Sequence, residues 1–222
     1  ERGEYQAAKD RLSGLILTAR QIGATDLSFV GKNYLARVLA SEGELDSAQL
    51  VSEDVVGYGE LAWRENPEQY YNALLELGAV YQRKSRFEDA ERIFEETMLA
   101  MLEIGGEYHP TTLVAMNNLG NIYEQLGFYD DAEPLLEQTL RGMEVAMGLS
   151  HAQTARTRNN LALLHESQGN FREAEPLYDT SYEHIAESLG ENHPDAMGMQ
   201  NNLAYLYMMM EEYEAAAAMF ED

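Results

Sequence analysis

The chain of 222 residues contains no cysteine, one tryptophan, five prolines and only three lysines, Lys9, Lys32 and Lys84. Without cysteine there is no disulfide framework, no thiol nucleophile and no thiolate metal site, and the redox compartment is left open. Scarce proline and the lack of any Gly/Ser-rich or low-complexity stretch leave no visible linker, while 45% apolar content is too high for disorder. The longest apolar runs fall far short of the roughly 20 residues that span a bilayer, and no charged-then-apolar segment opens the sequence. The expectation is a soluble, cytoplasmic protein.

Positive charge is the largest deficit. Only 15 Lys and Arg stand against 39 Asp and Glu, a formal net charge of -24. So negative a surface repels phosphate backbones and anionic headgroups, which makes nucleic acid and membrane poor partners and basic partners acceptable. Because the acids are scattered rather than blocked together, they read first as solvated helix faces that maintain solubility.

What the chain does have is a beat of forty-two residues. A small residue recurs at Ala8, Ala48, Ala90, Ala132, Ala174 and Ala216, spaced 40, 42, 42, 42 and 42 apart, with similar phrases running from His109, His151 and His193. Such self-similarity marks a solenoid, in which one supersecondary unit buries its apolar face only by stacking on its neighbours. Function is then expected on a surface shared between units rather than in a pocket. Each unit splits into two helical segments: Leu113, Met116, Leu119, Ile122 and Tyr123 recur at three- and four-residue steps, and Ala132, Leu135, Leu136 and Leu140 do so after a break at Gly127. Gly3, Gly43, Gly127 and Gly169 occupy the break, where a residue tolerant of positive φ is needed, with Ser85 and Glu211 in the other copies. Proline follows His109, His193 and Asn66, as suits a helix start. The anchor Ala lies early in the second helix facing the first, where axes about 8–10 Å apart leave room for little more than a methyl.

This pattern resembles the tetratricopeptide repeat. The resemblance rests on a Leu-Gly or Leu-Ala pair with an aromatic a few residues on (Leu77, Gly78, Tyr81; Leu119, Gly120, Tyr123; Leu203, Ala204, Tyr207), then Gly-x-aromatic-x-x-Ala from Gly127 to Ala132 and from Gly169 to Ala174. The usual unit is about 34 residues. The longer period here is similar to the variety found in kinesin light chains and in bacterial multidomain signalling proteins. The resemblance implies an all-α, right-handed α-solenoid of antiparallel helix pairs that binds protein or peptide, with no catalytic residues, cofactor or metal. A single array over 1–222 is expected, with a second helix of a partial repeat at 1–22 and repeats at about 25–64, 66–106, 108–148, 150–190 and 192–222, the last truncated. Neither end offers a polar cap, so the chain reads as a piece of a longer protein.

Helix geometry selects the open stripe. Asn117 lies two residues, roughly 200°, from core-facing Leu119, so it points away from the partner helix, and Asn121 and Glu124 continue its line. Equivalent positions are Asn33, Arg37 and Ala40; Leu75, Ala79 and Gln82; Asn159, Leu163 and Glu166; and Asn201, Tyr205 and Met208. By resemblance, first helices line a concave groove, and these side chains form its wall. A row of carboxamides both donates and accepts, and so suits the backbone of an extended peptide. The alternative is that Asn side chains, particularly the second of each pair at 118, 160 and 202, bond between adjacent units and stiffen the array. Arg37 is the one Arg in the stripe, with Arg83 and Arg156 near it, while Glu76, Glu124 and Glu166 bring the opposite charge. A neutral or basic segment is therefore expected rather than an acidic tail, with an apolar anchor near Tyr205, Met208 and Met209. Met208 to Met210 read first as core filler or end packing rather than a binding patch, and Trp63 as a packing residue.

Other chemistry is weakly signalled. His109, His151 and His193 belong to different units, roughly 10 Å apart in a stacked array, too far for the ~2 Å of metal ligation. His165 occupies an aromatic core position and His184 a helix flank, with no Ser or carboxylate in a catalytic arrangement, and no Gly-rich phosphate loop appears. The competing functions are a binding scaffold, a structural module that self-associates end to end, and a regulatory arm of a larger signalling enzyme.

Overall fold

The structure is a computed structural model that describes residues 2–62 and 66–219. Among these residues it is all-α, with eleven helices in consecutive packed pairs: α1 (Arg2–Gln21), α2 (Thr25–Ser41), α3 (Leu45–Ala62), α4 (Pro67–Arg83), α5 (Phe87–Gly105), α6 (Pro110–Leu126), α7 (Tyr129–Met147), α8 (Ala152–Ser167), α9 (Phe171–Leu189), α10 (Pro194–Met209) and α11 (Tyr213–Ala218). Even-numbered helices are the first of each pair. The chain divides into two compact units, Glu1–Met101 and Leu102–Asp222.

Local chemistry sets the helix ends. At α6, α8 and α10 the N-cap is His109, His151 or His193, whose Nδ1 accepts from the backbone N–H two residues on at 3.2 Å in each case. Proline at the first helical position needs no such acceptor, which is why His-Pro works at α6 and α10. Ahead of two of these caps a glycine carbonyl is clipped by a threonine: Thr112 Oγ1 donates to Gly106 O at 3.0 Å and Thr154 Oγ1 to Gly148 O at 2.8 Å. Second helices carry acid in their first turn, Asp46 in α3, Asp130 and Asp131 in α7 and Glu173 in α9, which suits the positive end of the helix dipole.

Within a pair the turn is two or three residues long and takes one form throughout. The N–H beyond the turn reaches back five residues, as from Phe128 to Tyr123 O at 2.8 Å and from Arg86 to Tyr81 O at 2.9 Å. That geometry puts one residue in the left-handed region: Gly43, Gly127 and Gly169, but also Ser85 at φ 57° and Glu211 at φ 63°. Gly3 does not take this role; it lies inside α1, which runs from Arg2 to Gln21. A side chain in the left-handed region costs about 1–2 kcal/mol. Ser85→Gly and Glu211→Gly are each expected to raise unfolding free energy by about 0.5–1 kcal/mol after the entropy of glycine is deducted, read by urea denaturation; a loss of stability in both would count against the assigned turn geometry.

The anchor alanines of the five pairs face inward. Ala48, Ala90, Ala132 and Ala174 are wholly buried and Ala216 nearly so, while Ala8 in α1 is half-buried. Opposite them, bulk on one helix meets its absence on the other. A Cβ on Gly78 would lie 2.5 Å from Phe94, and one on Gly120 2.7 Å from Leu136. Phe94, Leu136 and Tyr178 share one register, and Ser52 stands at the same place in α3, buried but small.

Candidate binding face

First helices of neighbouring pairs touch directly, α2 with α4 in the first unit and α6 with α8 in the second, and the second helices beside them do not approach as closely. That one-sided approach brings the sequence-selected stripe into rows. Asn160 Nδ2 donates to Asn117 Oδ1 and Asn202 Nδ2 to Asn159 Oδ1, both at 3.1 Å and both across 43 residues. The second Asn of each pair therefore bonds to the first Asn of the preceding one. Asn118 instead receives a long bond, 3.4 Å, from Asn117 beside it. Asn117 and Asn159 are half-buried and Asn201 is exposed.

The rest of the second-unit stripe is anchored in the same way. Asn121 accepts from Gln125, Glu124 accepts from Ser167 Oγ at 2.7 Å, and Glu166 accepts from the Tyr178 hydroxyl at 2.8 Å. Burial pushes the Glu166 carboxyl above its ordinary value and the charge of Glu124 adds to the push, while the Tyr178 bond opposes it. Burial, and then the bond to Glu166, push the Tyr178 hydroxyl up. Leu163 packs partly against the core formed by Ala162, Ala174, Tyr178, Leu203 and Leu206, whereas Tyr205 and Met208 are exposed. Of the Met cluster, Met210 joins that core while Met209 is exposed.

In the first unit the row is less complete. Asn33 is half-buried and its Oδ1 has no donor, and Arg37 Nε lies 3.6 Å from Glu76. Leu75 and Ala40, read from the sequence as part of the open stripe, are buried. Apolar side chains at those registers close against their neighbours because each gains by leaving water. Arg37, Ser41, Ser52, Glu76 and Arg83 line a cavity between α2, α3 and α4. Arg156 is committed elsewhere, to Asp195 of α10.

Two buried cations escaped the sequence reading. Arg158 bonds Glu144 of α7 at 2.9 Å and His184 of α9 at 3.2 Å, and Lys32 pairs with Asp54 of α3 and lies 4.0 Å from the centre of the Phe29 ring. Both stand at the register of Leu74 and Met116, so a charge where those two copies carry an apolar residue was the available signal. The Nδ1 of His165 is buried without a partner. Trp63 lies outside the described residues. Among those residues no helix is long and apolar enough to cross a membrane.

The family model described as tetratricopeptide repeat matches residues 69–144, 117–184 and 153–222. The chain belongs to the tetratricopeptide repeat family. Solved structures of similar fold include BtubC from P. vanneervenii, with a TM-score of 0.73 at 20% identity over 98% of this chain and 88% of that one. A kinesin-light-chain-type protein of Podosopora anserina with nearly identical TPR-like repeats gives 0.64 at 23% identity, over 86% of this chain and 90% of that one. A Rap protein complexed with competence and sporulation factor gives 0.77 at 13% identity, over 98% of this chain and 62% of that one. At such identities the likeness is one of fold. No curated protein matches the chain. Tetratricopeptide repeats are in general non-enzymatic scaffolds for protein–protein interaction, and that is the class of function the family brings to this chain.

Proposed function

We propose that the first-helix face of the second unit holds an extended, neutral or basic segment of a partner protein, with Asn117, Asn121, Glu124, Asn159, Leu163, Glu166, Asn201, Tyr205 and Met208 as its wall. The observation that carries this is the Asn row. With Oδ1 of Asn117 and Asn159 engaged by the next pair, the amide planes are fixed, and Nδ2 of Asn159 and the whole carboxamide of Asn201 remain to meet a ligand backbone. Fixing them in advance lowers the ordering cost of binding. Glu124 and Glu166 give the wall its sign, and Tyr205 and Met208 supply apolar area at one end. A Rap protein of similar fold was solved in complex with competence and sporulation factor, which is in keeping with a binding role for this fold.

The test is an array of immobilised twelve-residue peptides of graded net charge, probed with the full chain. Neutral and basic peptides are expected to retain it and acidic ones not. Asn159→Asp and Asn201→Ala together should abolish retention, since aspartate keeps the acceptor that Asn202 needs while removing the donor a ligand needs. Retention unchanged in that double variant, or no retention on any peptide, would overturn the proposal. Exposed Met208, Met209 and Tyr213 favour a second reading, end-to-end self-association, which concentration-dependent light scattering distinguishes.

A further inference from the structure

We propose that Glu76 is the rung that joins α4 to α2 in the first unit: as a neutral carboxylic acid it donates to Oδ1 of Asn33, and on ionising it gives up that bond and pairs with Arg37. The register is the first support. In the second unit both rungs span 43 residues, from Asn117 to Asn160 and from Asn159 to Asn202. The same step from Asn33 lands on Glu76.

Hydrogen-bond accounting is the second. Asn33 Oδ1 is buried and accepts from nothing. An ionised carboxylate only accepts, so it cannot supply what Asn33 lacks; a protonated one carries a single O–H donor, which is what the two amide rungs supply from Nδ2. An unsatisfied buried carbonyl is costly enough that a proton held beside it is the simpler solution. Burial agrees with this, since it pushes the Glu76 carboxyl above its ordinary value against the opposing pull of Arg37.

The surroundings allow both states. Among the described residues the charged groups facing Glu76 are Arg37 from α2 and Arg83 of α4, which lines the same cavity, and α3 contributes the uncharged Ser52. Ser52 stands where the other pairs have Phe94, Leu136 or Tyr178, which is why there is an opening in which the carboxyl can turn. When Glu76 is neutral the rung is closed and Arg37 faces the open side with its charge uncompensated. When it ionises the rung opens and Arg37 is neutralised. Acidification therefore both tightens the α2–α4 junction and makes this part of the face more basic by one charge, without any ligand and independently of the peptide proposal.

The sign for stability follows from proton counting. A carboxyl held above its unfolded value binds the extra proton in the native state, so its stabilisation is fully present below the ordinary glutamate range, about pH 4.3, and is lost as pH rises through the folded value. The experiment is a side-chain carboxyl ¹³C NMR titration of the full chain, with the Glu76 signal assigned by its loss in Glu76→Gln. Its midpoint is expected above that of ordinary glutamates, moving down in Asn33→Ala, which removes the acceptor of the protonated form, and up in Arg37→Gln, which removes the partner of the ionised form. In melting profiles, Glu76→Gln keeps a donor at every pH and should flatten part of the fall in melting temperature that the parent chain shows as pH is raised towards neutrality. A midpoint at or below the ordinary range, or one that Asn33→Ala leaves unmoved, overturns the assignment.

Discussion

Tyr178→Ala is expected to lower the stability of the second unit by about 3–5 kcal/mol, the range for removing a buried aromatic side chain. Tyr178 is fully buried in α9 and packs with Ala162 of α8 and with Leu203 and Leu206 of α10, so it fills the space where three helices meet. Its removal leaves a cavity that the alanines around it cannot collapse to fill. Tyr178→Phe keeps the ring and loses only the bond to Glu166, for which about 1 kcal/mol is expected, and Phe94 shows that phenylalanine suits the register in another pair. Urea denaturation followed by helical circular dichroism separates the two. Should the alanine variant melt as the parent does, Tyr178 does not hold α8, α9 and α10 together.

The second large effect is an asymmetry between the partners of one ion pair. Arg158 is almost wholly buried, with 6% of its side chain exposed, whereas Glu144 keeps 32%. Removing the carboxylate in Glu144→Ala leaves the guanidinium buried beside the His184 ring with no carboxylate partner, and about 2–3 kcal/mol of destabilisation is expected. That is less than the roughly 3–5 kcal/mol of a fully enclosed pair because water reaches Glu144. Arg158→Met removes the charge along with the need for a partner and installs the residue that stands at the same register as Met116, so its cost is expected to stay within about 1 kcal/mol. Equal losses in the two variants would mean that the pair itself, and not the stranded cation, sets the energy.

Both effects lie at positions where neighbouring copies of the repeat differ, and that is where sequence reasoning stopped. The period, the turn positions and the anchor alanines were legible because each follows from one helix or one pair: a residue in the left-handed region after the first helix, and a methyl on the inward face of the second. The turn was legible even at Ser85 and Glu211, where the chemistry favours glycine and the chain does not supply it. Gly3 was misplaced because α1 runs on through it, and a glycine by itself does not end a helix.

The candidate site was legible only as a stripe. Spacing placed Asn117, Asn159 and Asn201 on an open face, and it raised bonding between units as an alternative use of the second Asn. It could not assign donors and acceptors, which depend on how far one pair is displaced against the next. Nor could it show that Leu75 and Ala40 close into the core, or that Arg158 is buried between Glu144 and His184.

The sequence by itself determined the repeating helix pair, its period and its negative charge, because these depend on residues close along the chain and on simple composition. Tertiary structure alone decided which carboxamide meets which, where a buried acceptor is left waiting at Asn33, and which cations lose their water. Those outcomes depend on contacts about forty residues apart, whose distances are set by side-chain volume at the junctions.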